Sequence, residues 1–174
     1  MDPGLYFFCN FSILVNGSPS PFFTATRGIR QGCPLSPLLF ILVIEGLSLL
    51  IEDAKVNGRI RGIKISPQLS LTHLLFVDDV IMFGVGSFEN WMAFKVILET
   101  FCEASGMRIN LDKSCFLHND LDADILRRIT GLLPYIFEHL NDGFKYLGYF
   151  FKPLGYLVRD WHWILSKFEK RILH

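Results

Sequence analysis

The ten-residue stretch LLFVDDVIMF, residues 74–83, constrains the fold of this chain more than any other stretch. Two apolar halves, rich in β-branched and aromatic side chains, flank the adjacent carboxylates Asp78 and Asp79. Such halves favour β-strands, and because neither half alternates with polar residues, we expect both faces of the strand pair to be covered. The Asp78-Asp79 dipeptide is then predicted to be the two-residue turn of a hairpin, since Asp tolerates left-handed dihedral angles better than most residues.

Adjacent carboxylates repel each other, and in an apolar setting they are costly unless a cation pairs with them. A divalent ion would satisfy both, because Mg²⁺ takes one or two protein carboxylates and completes its shell with water and phosphate oxygens. Taken alone, the dipeptide favours a solvated surface turn over a metal site. The hairpin therefore leaves two alternatives, a Mg²⁺ or Mn²⁺ site and an ordinary turn, which the neighbouring segments must distinguish.

A glycine-containing loop, RQGCPLSP, precedes a long apolar segment and is the second informative stretch. Gly32 permits close backbone approach to another molecule, and Arg30 and Gln31 offer contacts to phosphates or base edges. Ser36 is predicted to cap a helix over residues 37–53, with a proline in its first position. The N–H groups at the start of this helix would face an anion. The alternative is a glycine loop that leads into a capped core helix.

Turn and periodicity signals predict the remaining elements. Residues 131–143 give no interpretable pattern. The predicted elements are strands 11–15 and 22–26 around an Asn16-Gly17 turn, an exposed strand 59–65, a helix 88–104 capped by Ser87, a short strand 107–110, a short helix 120–130, a strand 144–150 and a helix from Asp160 onward.

Charge is balanced overall, with 17 basic and 17 acidic residues, but it is unevenly distributed. The net charge is +3 over residues 21–77, −6 over 78–144 and +4 over 145–174, a pattern compatible with a polyanion and a metal ion. Hydrophobic residues make up 51% of the chain, yet the longest apolar run, residues 38–44, is too short for a membrane span. We therefore expect exposed apolar surface that a missing portion of a larger protein covers.

The cysteines and histidines do not form a metal-ligand pattern. The four cysteines are scattered without zinc-ligand spacing, and we expect them to be free buried thiols. The five histidines, including His73 beside the hairpin, lack ligand spacing as well.

Four motifs in a fixed order give the chain a resemblance to a known family. They are residues 30–37 (RQGCPLSP), 76–79 (FVDD), 106–110 (GMRIN) with Lys113, and 146–148 (YLG). In order and spacing they resemble the reverse transcriptases of non-LTR (LINE-type) retrotransposons, although Val77 stands where the family usually has Ala. The resemblance implies an α+β fold. Residues 1–151 would form a partial right-hand polymerase palm, an antiparallel sheet with the Asp-Asp hairpin packed on helices, and residues 152–174 would start a thumb helix.

The resemblance also assigns roles to residues of these motifs. Asp78 and Asp79 would be catalytic and would hold Mg²⁺ or Mn²⁺, and Lys113 would donate a proton to the leaving pyrophosphate. Two further groups would contact nucleic acid: the nucleotide- and template-binding residues Arg30, Gln31 and Gly32, and the primer-grip residues Tyr146, Leu147 and Gly148.

The implied partners are an RNA template, a DNA primer and deoxynucleoside triphosphates. The primer 3′-hydroxyl would attack the α-phosphate, helped by two ions about 3.5–4 Å apart. The family has a further catalytic Asp on a strand before the opening hairpin, where Asp2 is the only carboxylate and its surroundings do not match that strand. We therefore expect a fragment that does not polymerise alone. The alternative is a non-catalytic nucleic-acid-binding or interaction remnant of a retroelement.

Overall fold

The computed structural model describes residues 10–24, 32 and 34–172. The mixture of helices and strands agrees with the predicted α+β class. The helices are α1 (Ser36–Val56), α2 (Phe88–Ser105), α3 (Ala123–Leu132) and α4 (His162–Ile172). The strands are β1 (Asn10–Phe11), β2 (Leu14–Val15), β3 (Ser18–Pro19), β4 (Phe23–Thr24), β5 (Ile63–Lys64), β6 (Ser70–Leu71), β7 (His73–Phe76), β8 (Asp79–Met82), β9 (Cys115–His118), β10 (Ile136–His139), β11 (Phe144–Tyr146) and β12 (Tyr149–Phe151).

The chain divides into two compact units, one within residues 1–85 and 92–108 and the other within residues 86–91 and 109–174. In the described part of both units the strands pair only two at a time. Five of these pairs are antiparallel, and the pair of β9 with β10 is parallel. The prediction of one antiparallel sheet is therefore wrong for the described residues.

The first unit opens with the predicted hairpin. Asn16 and Gly17 form the turn between β2 and β3 with φ angles of 50° and 81°, the pattern of a type I′ turn. The pairing is interrupted before it resumes between β1 and β4, because Ser20 bonds to Ile13 with both its N–H and its hydroxyl and Pro21 has no N–H to donate. The last two residues of the predicted strand 22–26 lie outside the described residues.

Helix α1 extends three residues beyond its predicted end, to Val56. Its N-cap is Leu35 and not the predicted Ser36, because the dihedral angles of Leu35 (φ −80°, ψ −23°) are already helical. Ser36 thus becomes the first helical residue, and Pro37 lies in the first turn, where its missing N–H costs nothing. Among the described residues, no helix is both long enough and apolar enough to cross a membrane.

The buried residues of α1 all lie in its second half. The second half buries Leu47, Ile51 and Ala54, whose spacing places them on one helix face. The first half leaves three apolar side chains about 60% exposed. These are Leu38, Ile41 and Leu42. The expectation of exposed apolar surface is confirmed at this helix.

Close backbone contact joins the strands of the first unit. A Cβ atom on Gly62 would overlap the carbonyl oxygen of Leu71 on β6, so this position requires glycine. The N–H of Val85, after β8, donates to the carbonyl of Arg61, before β5, at 3.1 Å. The β5–β6 and β7–β8 pairs are thereby linked at their ends.

The predicted helix 88–104 is confirmed as α2. The Ser87 hydroxyl accepts a hydrogen bond from the Asn90 N–H at 3.4 Å, and the helix ends before Gly106, which has a φ of 72°. The predicted strand 107–110 is wrong. Asn110 instead caps a 3₁₀ turn, Leu111–Lys113, by accepting a hydrogen bond from the Asp112 N–H, which is the local alternative that Asn offers to a strand.

The second unit contains a β-α-β element that the sequence analysis missed. Strand β9 pairs in parallel with β10, and α3 connects them, as parallel neighbours require a crossover. Helix α3 begins three residues later than predicted, because the Asp122 carboxylate caps it. The core of this element consists of Phe116, Ile129 and Leu133.

Candidate active-site hairpin

Strands β7 and β8 form the predicted hairpin, but its turn is shifted by one residue. Phe76 pairs with Asp79, so the two central residues are Val77 and Asp78 and not the predicted Asp78-Asp79. Val77 has a φ of 52°, whereas Asp78 is not among the residues with positive φ. This is the φ pattern of a type II′ turn. One carboxylate therefore lies in the turn, and the other begins the returning strand.

Val77 is strained at this position. A β-branched residue with positive φ is a backbone outlier, and such strain costs of order 1–3 kcal/mol. Its side chain is 65% exposed, so burial offsets little of this cost. The hairpin tip thus stores strain beside the two carboxylates.

The hairpin has one covered face and one open face, which corrects the prediction that both are covered. Side chains on β7 alternate, with His73 and Leu75 partly buried and with Leu74 and Phe76 exposed by 45% and 54%. Asp79 lies opposite Phe76 and shares its exposed face, because directly paired residues point to the same side.

Asp78 and Asp79 are both exposed, and neither side-chain carboxylate forms an ion pair with another described residue. Two adjacent open carboxylates fit Mg²⁺ or Mn²⁺, which bind one or two protein carboxylates and fill their shell with water and phosphate oxygens. Within residues 10–24, 32 and 34–172, no group of three or more His, Cys, Asp or Glu side chains could hold a metal ion. Among these residues, the hairpin pair thus supplies two ligands at most.

Of the other predicted catalytic and nucleotide-binding residues, the structure describes Gly32 and Lys113. Gly32 is described and has a φ of 78°, whereas Arg30 and Gln31 lie outside the described residues. Lys113, in the second unit, is the exposed last residue of the 3₁₀ turn. The structure brings together Asp78 with Asp79 in the first unit.

The second unit contains a second tight hairpin, formed by β11 and β12, at the predicted primer-grip residues. Leu147 and Gly148 form its turn with φ angles of 50° and 79°, which is a type I′ pattern that favours glycine at the second position. The Gly148 carbonyl accepts a hydrogen bond from Lys167 Nζ of α4 at 2.9 Å. Lys167 also lies 5.5 Å from the Tyr149 ring and 4.9 Å from the Trp163 ring, so α4 is held against this hairpin.

Residues 4–151 match the family model described as reverse transcriptase (RNA-dependent DNA polymerase). The chain belongs to the reverse transcriptase family. Its relatives place it, as predicted, with the enzymes of non-LTR retrotransposons.

Three relatives illustrate the extent of the similarity. An uncharacterized mitochondrial protein of Arabidopsis thaliana is 48% identical over 77 residues, which is 42% of this chain and 63% of the relative. The Pol polyprotein from the type-2 retrotransposable element R2DM of Drosophila melanogaster is 33% identical over 58% of this chain and 9% of the polyprotein. The Pol polyprotein from the type-1 retrotransposable element R2 of Popillia japonica is 26% identical over 83% of this chain and 21% of the polyprotein. The chain thus spans only part of each relative.

A partly buried polar cluster anchors the hairpin of this reverse transcriptase family member to α1. His73 Nε2 lies 3.0 Å from the Ser48 hydroxyl of α1, and Nδ1 lies 3.1 Å from the Thr72 hydroxyl. The Thr72 carbonyl accepts a hydrogen bond from the Phe83 N–H at 2.8 Å. Burial lowers the pKa of His73, and the negative charge of Glu52 partly opposes this effect.

A histidine pair lies at the carboxyl ends of β9 and β10, where His118 pairs with His139. The Asn141 N–H donates to His139 Nδ1 at 3.2 Å, and Nε2 lies 3.3 Å from Asp120 Oδ1. Because Nδ1 accepts, Nε2 of the neutral ring carries the hydrogen and donates to Asp120. Nε2 is therefore not available as a metal ligand.

The cysteines depart from the prediction in one respect. Cys102 is partly buried, but Cys115 is exposed, and both are free. Burial of part of Cys115, with a smaller contribution from the charge of Glu138, raises the pKa of its thiol. Cys9 and Cys33 lie outside the described residues.

Three residues around the hairpins have a role that the sequence does not predict: Ser48, His73 and Lys167. Ser48 is a polar residue on an apolar helix, and His73 is the only ionisable residue of β7, so their pairing was the available signal. Lys167 follows Trp163 by one helical turn, a spacing that carries no specific signal on its own.

Proposed function

We propose that this chain supplies the palm region of an RNA-directed DNA polymerase and that it does not polymerise by itself. One observation carries the proposal: a tight hairpin presents two adjacent, exposed carboxylates that no other described residue neutralises. Membership of the reverse transcriptase family supports the same role.

Asp78 and Asp79 would hold the divalent ions. When bound, these ions supply activation of the primer 3′-hydroxyl and stabilisation of the leaving oxygen. The turn at Val77-Asp78 gives the carboxylates different settings, because Asp78 lies in the turn and Asp79 is fixed by its pairing with Phe76. The two carboxylates are therefore not equivalent as ligands.

The other motif residues complete the proposal by family resemblance. Lys113 would donate a proton to the leaving pyrophosphate, and it is exposed at the end of a capped turn. Three residues would line the nucleotide and template: Arg30, Gln31 and Gly32. Three others would grip the primer: Tyr146, Leu147 and Gly148. We propose, as the resemblance implies, that residues 1–151 form the palm and that residues 152–174 begin the thumb.

A second candidate function is nucleic-acid binding without catalysis. The region after residue 144 has a net charge of +4, and Tyr149 is 59% exposed beside Lys167. Aromatic rings stack on bases and cations contact phosphates without any metal, so this surface needs no carboxylate pair.

Binding of a labelled deoxynucleoside triphosphate to the full chain distinguishes the two candidates. The palm assignment predicts Mg²⁺-dependent binding that Asp78→Asn abolishes and that Asp112→Asn, a change at another exposed carboxylate, leaves unchanged. Metal-independent, salt-sensitive binding of RNA that is the same in both variants would support the second candidate instead. Incorporation of the label into a DNA primer annealed to an RNA template, lost in Asp78→Asn, would refute the proposed inactivity of the chain alone.

A further inference from the structure

Ser48, Thr72 and His73 form a polar link between α1 and both strands of the hairpin. The link runs from the Ser48 hydroxyl through the His73 ring to the Thr72 hydroxyl. From the Thr72 carbonyl it continues to the Phe83 N–H, just after β8. The Ser48–His73 bond joins α1 to β7, and the Thr72–Phe83 bond joins the ends of the two strands, so the link fixes the open end of the hairpin against the helix.

The surroundings make this link costly to break. Thr72 is only 2% exposed, and Ser48 and His73 are partly buried. A buried polar group that loses its partner costs more than a typical hydrogen bond contributes. The remaining side chains of the covered face are apolar, so the ring and the two hydroxyls depend on one another.

We infer that His73 is a positioning residue, which holds the Asp78–Asp79 hairpin in a fixed orientation on α1 and thereby sets the affinity of its tip for a divalent ion. This inference rests on the proposed function for the role of the tip. His73 itself lies at the far end of β7, about 13 Å from the turn at 3.3 Å per residue, so it does not touch the ion.

The same geometry makes the link sensitive to acid. The charged groups that act on His73 are Glu45, Glu52 and Lys55, all on α1. Burial dominates over these charges and lowers the His73 pKa, so the neutral ring is the form that the folded site favours. Protonation of the ring below neutral pH then acts against the docked position of the hairpin.

The test uses two readouts on the full chain. Hydrogen exchange at the Phe83 amide reports the docking of the hairpin base without any metal. Mn²⁺ titration, followed by water-proton relaxation at pH 7.5 and 6.0, reports the tip. The variants are Ser48→Ala, His73→Leu and His73→Gln, because the Gln amide can still hydrogen bond to Ser48. Ser166→Ala, an exposed helical serine on α4, is the matched control.

We expect Ser48→Ala and His73→Leu to lower Phe83 protection and to weaken Mn²⁺ binding by about fivefold each, the effect of one hydrogen bond. Their double variant should be no worse than His73→Leu alone. His73→Gln should bind Mn²⁺ as tightly as the wild type at pH 7.5. Between pH 7.5 and 6.0 its Mn²⁺ affinity should fall much less than that of the wild type. Ser166→Ala should match the wild type.

Unchanged Phe83 protection and unchanged Mn²⁺ affinity in Ser48→Ala would overturn the inference. If the proposed metal-binding role of the hairpin tip is wrong, the experiment gives a result that differs from failure of the His73 inference. If Asp78→Asn binds Mn²⁺ as the wild type does, the metal assignment fails, and the exchange of Phe83 in Ser48→Ala still decides whether His73 docks the hairpin.

Discussion

Replacing Val77 by glycine should stabilise the chain, although the substitution removes a side chain. Val77 is β-branched and has a φ of 52° at the first central position of the turn. Glycine is the residue that a type II′ turn favours at this position. The matched control is Val77→Thr, which keeps the shape and the β-branching and therefore keeps the strain.

The change in the free energy of unfolding expected for Val77→Gly is the sum of three contributions. Relief of the backbone strain stabilises by about 1–3 kcal/mol. Against this, the freer unfolded chain of a glycine costs about 0.5–1 kcal/mol. The lost side chain is 65% exposed, and the buried third of a valine is worth about 0.5–1 kcal/mol. The expected net gain of Val77→Gly is about 0.5 kcal/mol, whereas Val77→Thr should be neutral or slightly destabilising.

Urea unfolding of the full chain measures the free energy of unfolding of each variant, and amide exchange of Val80 shows whether the change is local to the hairpin. Val77→Ala, which keeps Cβ but removes the branch, should lie between the other two variants. A free energy of unfolding for Val77→Gly that falls below that of Val77→Thr would refute the assignment of strain to this turn.

Three further predictions have distinct outcomes. Gly62→Ala should lower the free energy of unfolding in urea by about 2 kcal/mol, because a Cβ there overlaps a backbone oxygen. The control Gly46→Ala, in open space within α1, should raise it by about 0.5–1 kcal/mol. Equal effects of the two substitutions would contradict the close approach of Gly62 to the backbone oxygen. The pKa of His73 is lowered in the folded chain, so the unfolded chain binds the proton more tightly. The free energy of unfolding should therefore fall as the pH drops below about 6.5. His73→Gln should make this fall smaller. Glu138→Gln should speed alkylation of Cys115 at pH 8, since the Glu138 charge helps to raise the thiol pKa; an unchanged rate would remove that charge from the explanation.

The elements that the sequence predicts well are those with local signals. The Asn16-Gly17 turn and the capped start of α2 follow from residues within a few positions of each other. The apolar runs on both sides of Asp78 and Asp79 likewise predict a hairpin tip at these residues. The one-residue error in the turn has a physical cause: the register places the strained Val77 in the turn, and local propensity disfavours this choice.

The parts that could not be predicted depend on distant contacts. The parallel pairing of β9 with β10 needs a helical crossover of known length, and each strand is only four residues long. The link from Ser48 to His73 joins positions 25 residues apart. Neither periodicity nor turn chemistry contains that information, because both act within a few residues.

Binding of Mn²⁺, mapped by two-dimensional NMR of the full chain, tests the central assignment most directly. If Asp78 and Asp79 form the metal pair, Mn²⁺ should broaden the amide signals of residues 77–80 first, and Asp78→Asn and Asp79→Asn should each remove this selective broadening. Broadening that instead centres on the acidic segment 120–124, or that persists unchanged in both variants, would contradict it.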